Sequence, residues 1–317
     1  MGRKENLIVA LEEHYWDPDL LKLFPGNEGK RAPELERRML DMGELRLRDM
    51  DEAGIDIQVL SHGAPAAQKM DAEMSVRMSK QTNDRLAAFV ATKPDRFAAL
   101  AALPTPDPKA AADELERSVS KLGFRGAMIH GLTNGRFIDE PDFWPIFERA
   151  QALDVPVYLH PSFPHPAVIE AYYKTYAAEF QWLIGPALGF TVETATQCVR
   201  MIISGVFQKY PKLKVIVGHL GEGLPFLLWR MNNFLARPDR PFAEIFQNNF
   251  YLTTSGNFSD VALDASIAVL GVDRIMFSVD WPFANNKIGV DWLKASSLDA
   301  GDKAKIFGTN AVSLLKL

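Results

Sequence analysis

The sequence repeats a pattern in which a short apolar run, rich in β-branched residues, is followed by a longer amphipathic stretch. Continuous apolar runs are typical of strands that are buried on both faces of a parallel sheet. Eight such runs predict eight strands: Leu7–His14, Ile55–His62, Phe97–Leu103, Gly126–His130, Val155–His160, Lys214–His219, Phe250–Ser255 and Arg274–Asp280. The stretches between them predict helices, among them Pro108–Lys121, Phe143–Leu153 and Thr191–Lys209.

The alternation of strands and helices predicts parallel strands that are joined by crossover helices. Eight such units favour an α/β fold of the (β/α)8 TIM-barrel type, and an open doubly wound sheet is the alternative. The length of 317 residues fits a single barrel domain over residues 1–317. Asp17–Arg38 and Pro161–Trp182 are expected to be loop insertions after strands one and five, at the end where barrels build active sites.

Composition and charge argue against several classes of protein. The net charge is -5 at pH 7, so the basic surface of a nucleic-acid-binding protein is not expected. No apolar run approaches the roughly 18 residues that a membrane-spanning helix needs, and the run Leu7–Leu11 is too short for a secretory signal. Cys198 is the single cysteine, which excludes an internal disulfide. We therefore expect a soluble cytoplasmic protein with neither a membrane nor a nucleic-acid partner.

Ionisable side chains stand at the ends of six predicted strands. Strand one ends in Glu12-Glu13-His14, and the alternation of a strand points Glu12 and His14 to one face and Glu13 to the other. The other five strands end in His62, His130, His160, His219 and Asp280. In a closed parallel barrel these ends meet at one mouth, where carboxylate and imidazole groups together suit a zinc or manganese ion.

Each of these residues also has a purely structural interpretation. A single histidine at a strand end is more often a hydrogen-bonded structural residue than a metal ligand, and His62 and His165 are nearest to that case. His130, at the end of strand four, is intermediate, and Glu13 is expected to pack outside the mouth or to cap a helix. Competing motifs are weak: the glycine-rich turn after strand six lacks the dinucleotide-binding spacing, and Cys198 lies inside a predicted helix.

Several motifs occur together, in order, along nearly the whole chain. They are Ala10-Leu11-Glu12-Glu13-His14, Tyr158-Leu159-His160-Pro161, Gly218-His219-Leu220-Gly221-Glu222-Gly223-Leu224-Pro225, Trp229-Arg230, Thr253-Thr254-Ser255-Gly256-Asn257-Phe258, Phe277-Ser278-Val279-Asp280-Trp281-Pro282-Phe283 and Thr309-Asn310-Ala311. With these motifs the chain resembles the amidohydrolase-2 group of the amidohydrolase superfamily. Within that group it looks most like the nonoxidative aromatic decarboxylases, such as those of γ-resorcylate, 2,3-dihydroxybenzoate and 5-carboxyvanillate.

The resemblance implies a metal centre. The residues that match the family's metal ligands are Glu12, His14, His160 and Asp280. Superfamily members with two metal ions usually carry a lysine on strand four, and this chain has none in Arg125–His130. One divalent ion, zinc or manganese, is therefore expected.

The resemblance also implies catalytic and binding roles. His219 and Glu222 match a hydrogen-bonded pair beside the metal, and Asp280 is the expected proton donor. Arg230 matches an arginine that anchors the substrate. Arg46 matches one that reaches the site of a neighbouring subunit in one relative, which implies a homodimer or homotetramer.

The expected substrate is a small aromatic acid of the 2-hydroxybenzoate type, which would lose its carboxylate as CO2. Trp281 and Phe283, near the end of strand eight, could stack on its planar ring. Two departures from the resorcylate-type enzymes alter the pocket wall: Ser162-Phe163 replaces Arg-Asn, and His130 stands where Asn is usual. His130 is therefore also a candidate substrate contact.

Two other functions remain open at this point. The same ligand set could activate water for hydrolysis of a lactone or an amide, with Asp280 as the base. The motifs favour decarboxylation over this alternative. A noncatalytic metal-binding protein is a third possibility, but it would not need an arginine and a histidine–glutamate pair near the mouth.

Overall fold

The structure of the protein is a computed structural model that describes residues 7–24, 28 and 30–317. It is a mixed α/β fold in which all strand pairs are parallel. The strands are β1 (Val9–Tyr15), β2 (Ile57–His62), β3 (Phe97–Ala99), β4 (Ala101–Ala102), β5 (Ala127–His130), β6 (Val157–His160), β7 (Val215–Val217), β8 (Phe250–Thr253) and β9 (Ile275–Met276).

Helices fill the connections between the strands. They are α1 (Pro18–Leu21), α2 (Pro33–Leu40), α3 (Glu44–Ala53), α4 (Ala72–Val90), α5 (Pro108–Leu122), α6 (Trp144–Leu153), α7 (Pro166–Val168), α8 (Lys174–Ala177), α9 (Gly189–Ser204), α10 (Val206–Lys209), α11 (Leu224–Leu235), α12 (Phe242–Asn249), α13 (Asp260–Leu270), α14 (Asn286–Ala295), α15 (Ala300–Ala304) and α16 (Asn310–Leu315). Short turns of 3-10 helix (Pro141–Phe143 and Val272–Arg274) and of π-helix (Ile169–Tyr173 and Lys305–Thr309) complete them. In the described part of the chain, no helix combines the length and the apolar character that a membrane span requires.

The strands form two parallel sheets in sequential order, β1-β2-β3 and β4-β5-β6-β7-β8-β9. The predicted third strand is divided between the two sheets at Leu100. The N–H of Leu100 donates to the carbonyl of Leu60 at 2.9 Å, whereas the N–H of Ala101 donates to Gly126 at 2.9 Å. At the opposite edges, the N–H of His14 donates to the carbonyl of Trp281 at 2.7 Å.

Apolar side chains pack on both faces of the strands. One cluster of buried side chains draws on strands of both sheets; its members include Val9, Leu11, Val59, Leu100, Met128, Tyr158, Ile216 and Met276. A larger cluster lies between the strands and the helices. This burial on both faces explains why the strands read as continuous apolar runs in the sequence.

Three elements differ from the prediction. The eighth predicted strand, Arg274–Asp280, pairs only over Ile275–Met276, because the N–H groups that follow bond to a turn and to side chains instead. The predicted helix Thr191–Lys209 is broken at Gly205, which has a φ of +98°. The segments expected to be loop insertions after strands one and five contain short helices, and residues 25–27 and 29 of the first lie outside the described residues.

Candidate metal centre

Four of the predicted site residues meet at the carboxyl ends of the strands. Glu12 and His14 come from β1, His160 ends β6, and Asp280 follows β9. One ligand atom from each residue can be chosen so that all four lie within 4.8 Å of one another. Nε2 of His14 is 3.3 Å from Oδ1 of Asp280, and Nε2 of His160 is 3.2 Å from Oε1 of Glu12. The four form a compact, nearly buried group of two imidazoles and two carboxylates.

The inner atoms of this group fit a divalent cation. Oε1 of Glu12, Nε2 of His14 and Oδ1 of Asp280 are buried, and no hydrogen bond from the described residues satisfies them. Unsatisfied buried polar atoms are costly, and carboxylates this close repel one another, unless a cation lies among them. Two nitrogen and two oxygen donors suit zinc or manganese. The donor set therefore fits a bound metal ion.

Neighbouring groups hold the outer atoms of three of the four candidate ligands. Nδ1 of His14 lies 3.2 Å from the hydroxyl of Ser61, and Nδ1 of His160 lies 2.7 Å from the carbonyl oxygen of Pro161. The phenol of Tyr158 donates to Oε2 of Glu12. These contacts leave Nε2 of each histidine and Oε1 of Glu12 facing the centre, which is how outer residues orient metal ligands.

The charges within the cluster shift the pKa values of its residues. Burial lowers the pKa of His14, but the carboxylates of Asp280 and Glu12 outweigh that effect and raise it to about 9. Burial raises the pKa of Glu12, but the imidazoles of His219 and His160 hold it well below its usual range. The field of the cluster therefore attracts a positive charge, and a metal ion competes with protons for the imidazoles.

His219 and Glu222 form a pair on the tight turn that follows β7. Nδ1 of His219 is 2.8 Å from Oε1 of Glu222, and the hydroxyl of Thr191 donates to the other oxygen of Glu222 at 2.7 Å. Both residues of the pair have a positive φ, +52° and +53°. Nε2 of His219 lies 3.8 Å from Oε1 of Glu12. The turn thus holds the pair in a strained conformation against the cluster.

Arg46 and Trp281 lie behind the cluster. Arg46 is fully buried, and it donates to the carbonyl of His14 and to the amide oxygen of Gln58. Its guanidinium carbon stands 4.0 Å from the centroid of the Trp281 ring, whose Nε1–H donates to Asp49. Arg46 is therefore enclosed by its own chain, and Trp281, which is 1% exposed, packs on Arg46. The expected contacts of Arg46 with a neighbouring subunit and of Trp281 with a substrate remain predictions.

The three remaining residues that were expected to contact the substrate lie at different distances from the cluster. Phe283 is 44% exposed, and its ring centroid lies 5.9 Å from that of His14, so it borders the cluster. His130 is buried with Nδ1 3.0 Å from Nδ1 of His160, behind that ligand. Arg230 is exposed on α11, with its guanidinium 5.9 Å from the ring of Phe234. Within the described residues, no hydrogen bond or ion pair joins Arg230 to the cluster.

Sequence reasoning missed two residues that shape the cluster. Tyr158 looked like an apolar strand residue, although its position two before His160 assigns both side chains to one face. A Cβ at Gly218 would lie only 2.5 Å from Oε2 of Glu12, so the absence of a side chain there makes room for the Glu12 carboxylate. The alternation along β6 was the signal that could have identified Tyr158.

Comparison with known proteins identifies the family. The family described as amidohydrolase matches residues 13–317. The chain is 42% identical over 325 residues to a γ-resorcylate decarboxylase from a Polaromonas species, with 98% of both chains covered.

Two crystal structures have the same fold. One is 2,6-dihydroxybenzoate decarboxylase in complex with 2,6-dihydroxybenzoate, with 40% identity, a TM-score of 0.89, and coverage of 98% of this chain and 100% of that chain. The other is a dihydroxybenzoic acid decarboxylase from Polaromonas sp. with bound manganese and the inhibitor 2-nitroresorcinol. It shows 42% identity, a TM-score of 0.90, and coverage of 98% of this chain and 97% of that chain.

Proposed function

The chain belongs to the amidohydrolase family, and from this premise we propose that it is a metal-dependent decarboxylase. Its substrate is a hydroxylated aromatic acid of the 2-hydroxybenzoate type, and its products are the phenol and CO2. The observation that carries the proposal is the buried cluster of Glu12, His14, His160 and Asp280, in a chain 42% identical over nearly its full length to a γ-resorcylate decarboxylase.

One divalent ion would be held by Glu12, His14, His160 and Asp280, and manganese is the first candidate because a 42%-identical relative binds it. When bound, the ion supplies Lewis-acid chemistry and a template for the oxygen atoms of the acid. The chain contributes the orientation of the ligands. Ser61, Pro161 and Tyr158 hold the outer atoms of His14, His160 and Glu12.

Asp280 is our candidate proton donor. Decarboxylation adds one proton to the ring carbon that bears the carboxylate; the bond to the carboxylate then breaks, its electron pair restores the aromatic ring, and CO2 leaves. Oδ1 of Asp280 points to His14, whereas Oδ2 faces Gly256, where a Cβ would lie 3.4 Å away. Oδ2 is therefore the oxygen that can hold the proton, and Gly256 leaves space beside it.

His219 and Glu222 would hold or release a proton beside the cluster and would position the aromatic acid. Glu222 fixes the ring of His219 through Nδ1, which leaves Nε2 directed at the cluster. Phe283, exposed beside His14, offers an aromatic surface to a planar ring. Arg230 remains the candidate for recognition of the substrate's negative charge.

We further propose that the strands close into one (β/α)8 barrel domain, with loop insertions after strands one and five. The hydrogen bond from His14 to Trp281 links the outer edges of the two sheets, and Leu100 links the inner ones. The apolar cluster shared by strands of both sheets is what the interior of a closed barrel requires. The family match over residues 13–317 supports a single domain.

A homodimer or homotetramer would account for the exposed face of α11. Phe226, Trp229 and Phe234 are 85%, 78% and 78% exposed on this helix. Large exposed apolar side chains that cluster in this way mark interaction surfaces. Light scattering of the purified protein should give a mass of two or four chains, and a monomer would contradict the proposal.

The function is tested with purified protein that has been stripped of metal and then reconstituted with manganese or zinc. A panel of hydroxybenzoates, beginning with 2,6-dihydroxybenzoate and including methoxylated acids, should yield CO2 and the matching phenol without a redox cofactor. The departure of Ser162-Phe163 from the resorcylate-type enzymes makes the breadth of the panel important. Turnover of lactones or anilides, without turnover of any aromatic acid, would contradict the proposal.

A further inference from the structure

Glu13 is a buried carboxylate that the proposed reaction does not use. Its side chain points away from the cluster, as the alternation along β1 requires, and it is fully buried. The sequence predicted that Glu13 packs outside the mouth or caps a helix, and packing outside the mouth is the alternative that its position fits. Oε1 accepts from the N–H of Val279 at 2.9 Å, and Oε2 accepts from the N–H of Trp281 at 3.1 Å. One carboxylate thus binds the amides on both sides of Asp280.

Asp280 needs such support because its backbone is strained. Its φ is +74°, in the left-handed region that residues with a Cβ rarely adopt. The flanking carbonyls are fixed as well, since that of Val279 accepts from Gly256 at 3.1 Å and that of Trp281 accepts from His14 at 2.7 Å. Among the described side chains, that of Glu13 is the one that binds both flanking N–H groups, and it joins them to the strand that carries Glu12 and His14.

The orientation of Glu13 is itself fixed. The amide of Gln58 donates to Oε2 of Glu13 at 3.4 Å, and its oxygen accepts from Arg46 at 3.1 Å. The hydroxyl of Ser278 lies 3.3 Å from Oε1 of Glu13. Arg46, which sequence reasoning assigned to the substrate, therefore belongs to the support behind Asp280.

We propose that Glu13 is a positioning residue that fixes the backbone on both sides of Asp280 and so aims the Asp280 carboxylate at the metal cluster. The inference rests on the proposed function only in taking Asp280 as a ligand and proton donor. The aim is visible in the 3.3 Å separation between Oδ1 of Asp280 and Nε2 of His14. Without the clamp, the strained turn can relax and carry the carboxylate away from the cluster.

Glu13→Gln tests the inference, because the amide keeps the size of the side chain but turns one acceptor into a donor that faces an N–H group. The matched control is Glu114→Gln. Glu114 is another buried carboxylate, and it accepts from Asn83 and Arg117 away from the cluster. Both variants should lose some thermal stability, so the melting temperature measures the structural cost of each.

The readout is titration of the metal-free protein with Mn²⁺, followed by kcat and KM of the reconstituted protein. Glu13→Gln should raise the dissociation constant for Mn²⁺ by about 10- to 100-fold, as loss of outer support does at metal sites. It should lower kcat more than it changes KM. Glu114→Gln should stay within about twofold of the unchanged protein in both measurements.

Unchanged Mn²⁺ affinity and kcat in Glu13→Gln, at a stability loss equal to that of the control, would overturn the inference. If Glu13→Gln does not fold, Gln58→Met removes one contact of Glu13 and leaves both clamped N–H groups. A raised dissociation constant for Mn²⁺ in Gln58→Met would then support the inference, and an unchanged dissociation constant would overturn it. A protein that binds Mn²⁺ but decarboxylates no acid would contradict the proposed function alone, because the affinity measurement does not depend on turnover.

Discussion

The phenol of Tyr158 donates a hydrogen bond to Oε2 of Glu12, the oxygen of that carboxylate that points away from the metal cluster. The hydroxyl of Thr253 lies 2.7 Å from the same phenol oxygen. Burial raises the pKa of Tyr158 well above its usual range, and the charge of Glu12 raises it further, so the phenol remains a donor. Tyr158 therefore fixes which oxygen of Glu12 faces the cluster.

Tyr158→Phe should weaken Mn²⁺ binding by about 10-fold or more, because Glu12 loses the donor that orients it. Tyr15→Phe is the matched control, since Tyr15 ends β1 and is also buried, but its hydroxyl has no hydrogen-bond partner in the part of the chain that the structure describes. Titration of each metal-free variant with Mn²⁺ measures the effect. Equal affinities in the two variants would show that the phenol of Tyr158 does not support Glu12.

Substitutions of His160, which ends β6, and of His165, which follows that strand, should have different effects on the metal content. His160→Ala removes an inner donor and should lower bound metal from about one equivalent to a small fraction. His165 is exposed and its Nδ1 only accepts from the N–H of Ala167, so His165→Ala should leave the content unchanged. Elemental analysis of both variants decides the matter, and equal losses would mean that the ligand is misassigned.

His130→Asn should act on the metal and not on the substrate. The His130 ring is 1% exposed and lies against His160, so its loss removes a contact behind a ligand. We expect a several-fold to about 10-fold rise in the dissociation constant for Mn²⁺. KM for the aromatic acid should change less than about twofold at saturating metal. A raised KM with unchanged metal affinity would instead make His130 a substrate contact.

Arg230→Met should keep the metal and lower kcat/KM by an amount that corresponds to about 1.5–3 kcal/mol, the value of a lost charged hydrogen bond. Because Arg230 is exposed on α11, the melting temperature should hardly change. Arg237→Met, at another exposed arginine just beyond the same helix, should have normal kinetics. Unchanged kcat/KM in Arg230→Met would remove this residue from substrate recognition.

The sequence predicted the strands and the four clustered residues because both depend on local patterns. Strands buried on both faces are apolar throughout, and a ligand appears where such a run stops, as at His160 and Asp280. The resemblance to the family then selected His14 and His160 from the other histidines as candidate ligands. What the pattern could not supply was the extent of pairing, because the short strand Ile275–Met276 is bounded by hydrogen bonds to distant groups.

The roles of buried polar residues were harder to predict. Arg46 was expected to reach a neighbouring subunit because it matches an arginine that does so in one relative. Its partners in this structure, the carbonyl of His14 and the amide of Gln58, become its neighbours only in the folded chain. Glu13 was placed correctly on the face opposite Glu12 by strand alternation. Its clamp on the amides beside Asp280 joins residues more than 260 positions apart, which no local pattern contains.

If this cluster protonates and decarboxylates a hydroxylated aromatic acid, the product must take up one deuterium from D₂O. The manganese-reconstituted protein would be incubated with 2,6-dihydroxybenzoate in D₂O, with resorcinol alone as the control for background exchange, and the products followed by NMR and mass spectrometry. We expect CO2 and resorcinol that carries one deuterium at the carbon that lost the carboxylate. We also expect no turnover by Asp280→Asn in samples whose metal content is shown to be normal. Labelled product from a metal-replete Asp280→Asn variant would contradict Asp280 as the proton donor, and the absence of CO2 from every hydroxybenzoate would contradict the function itself.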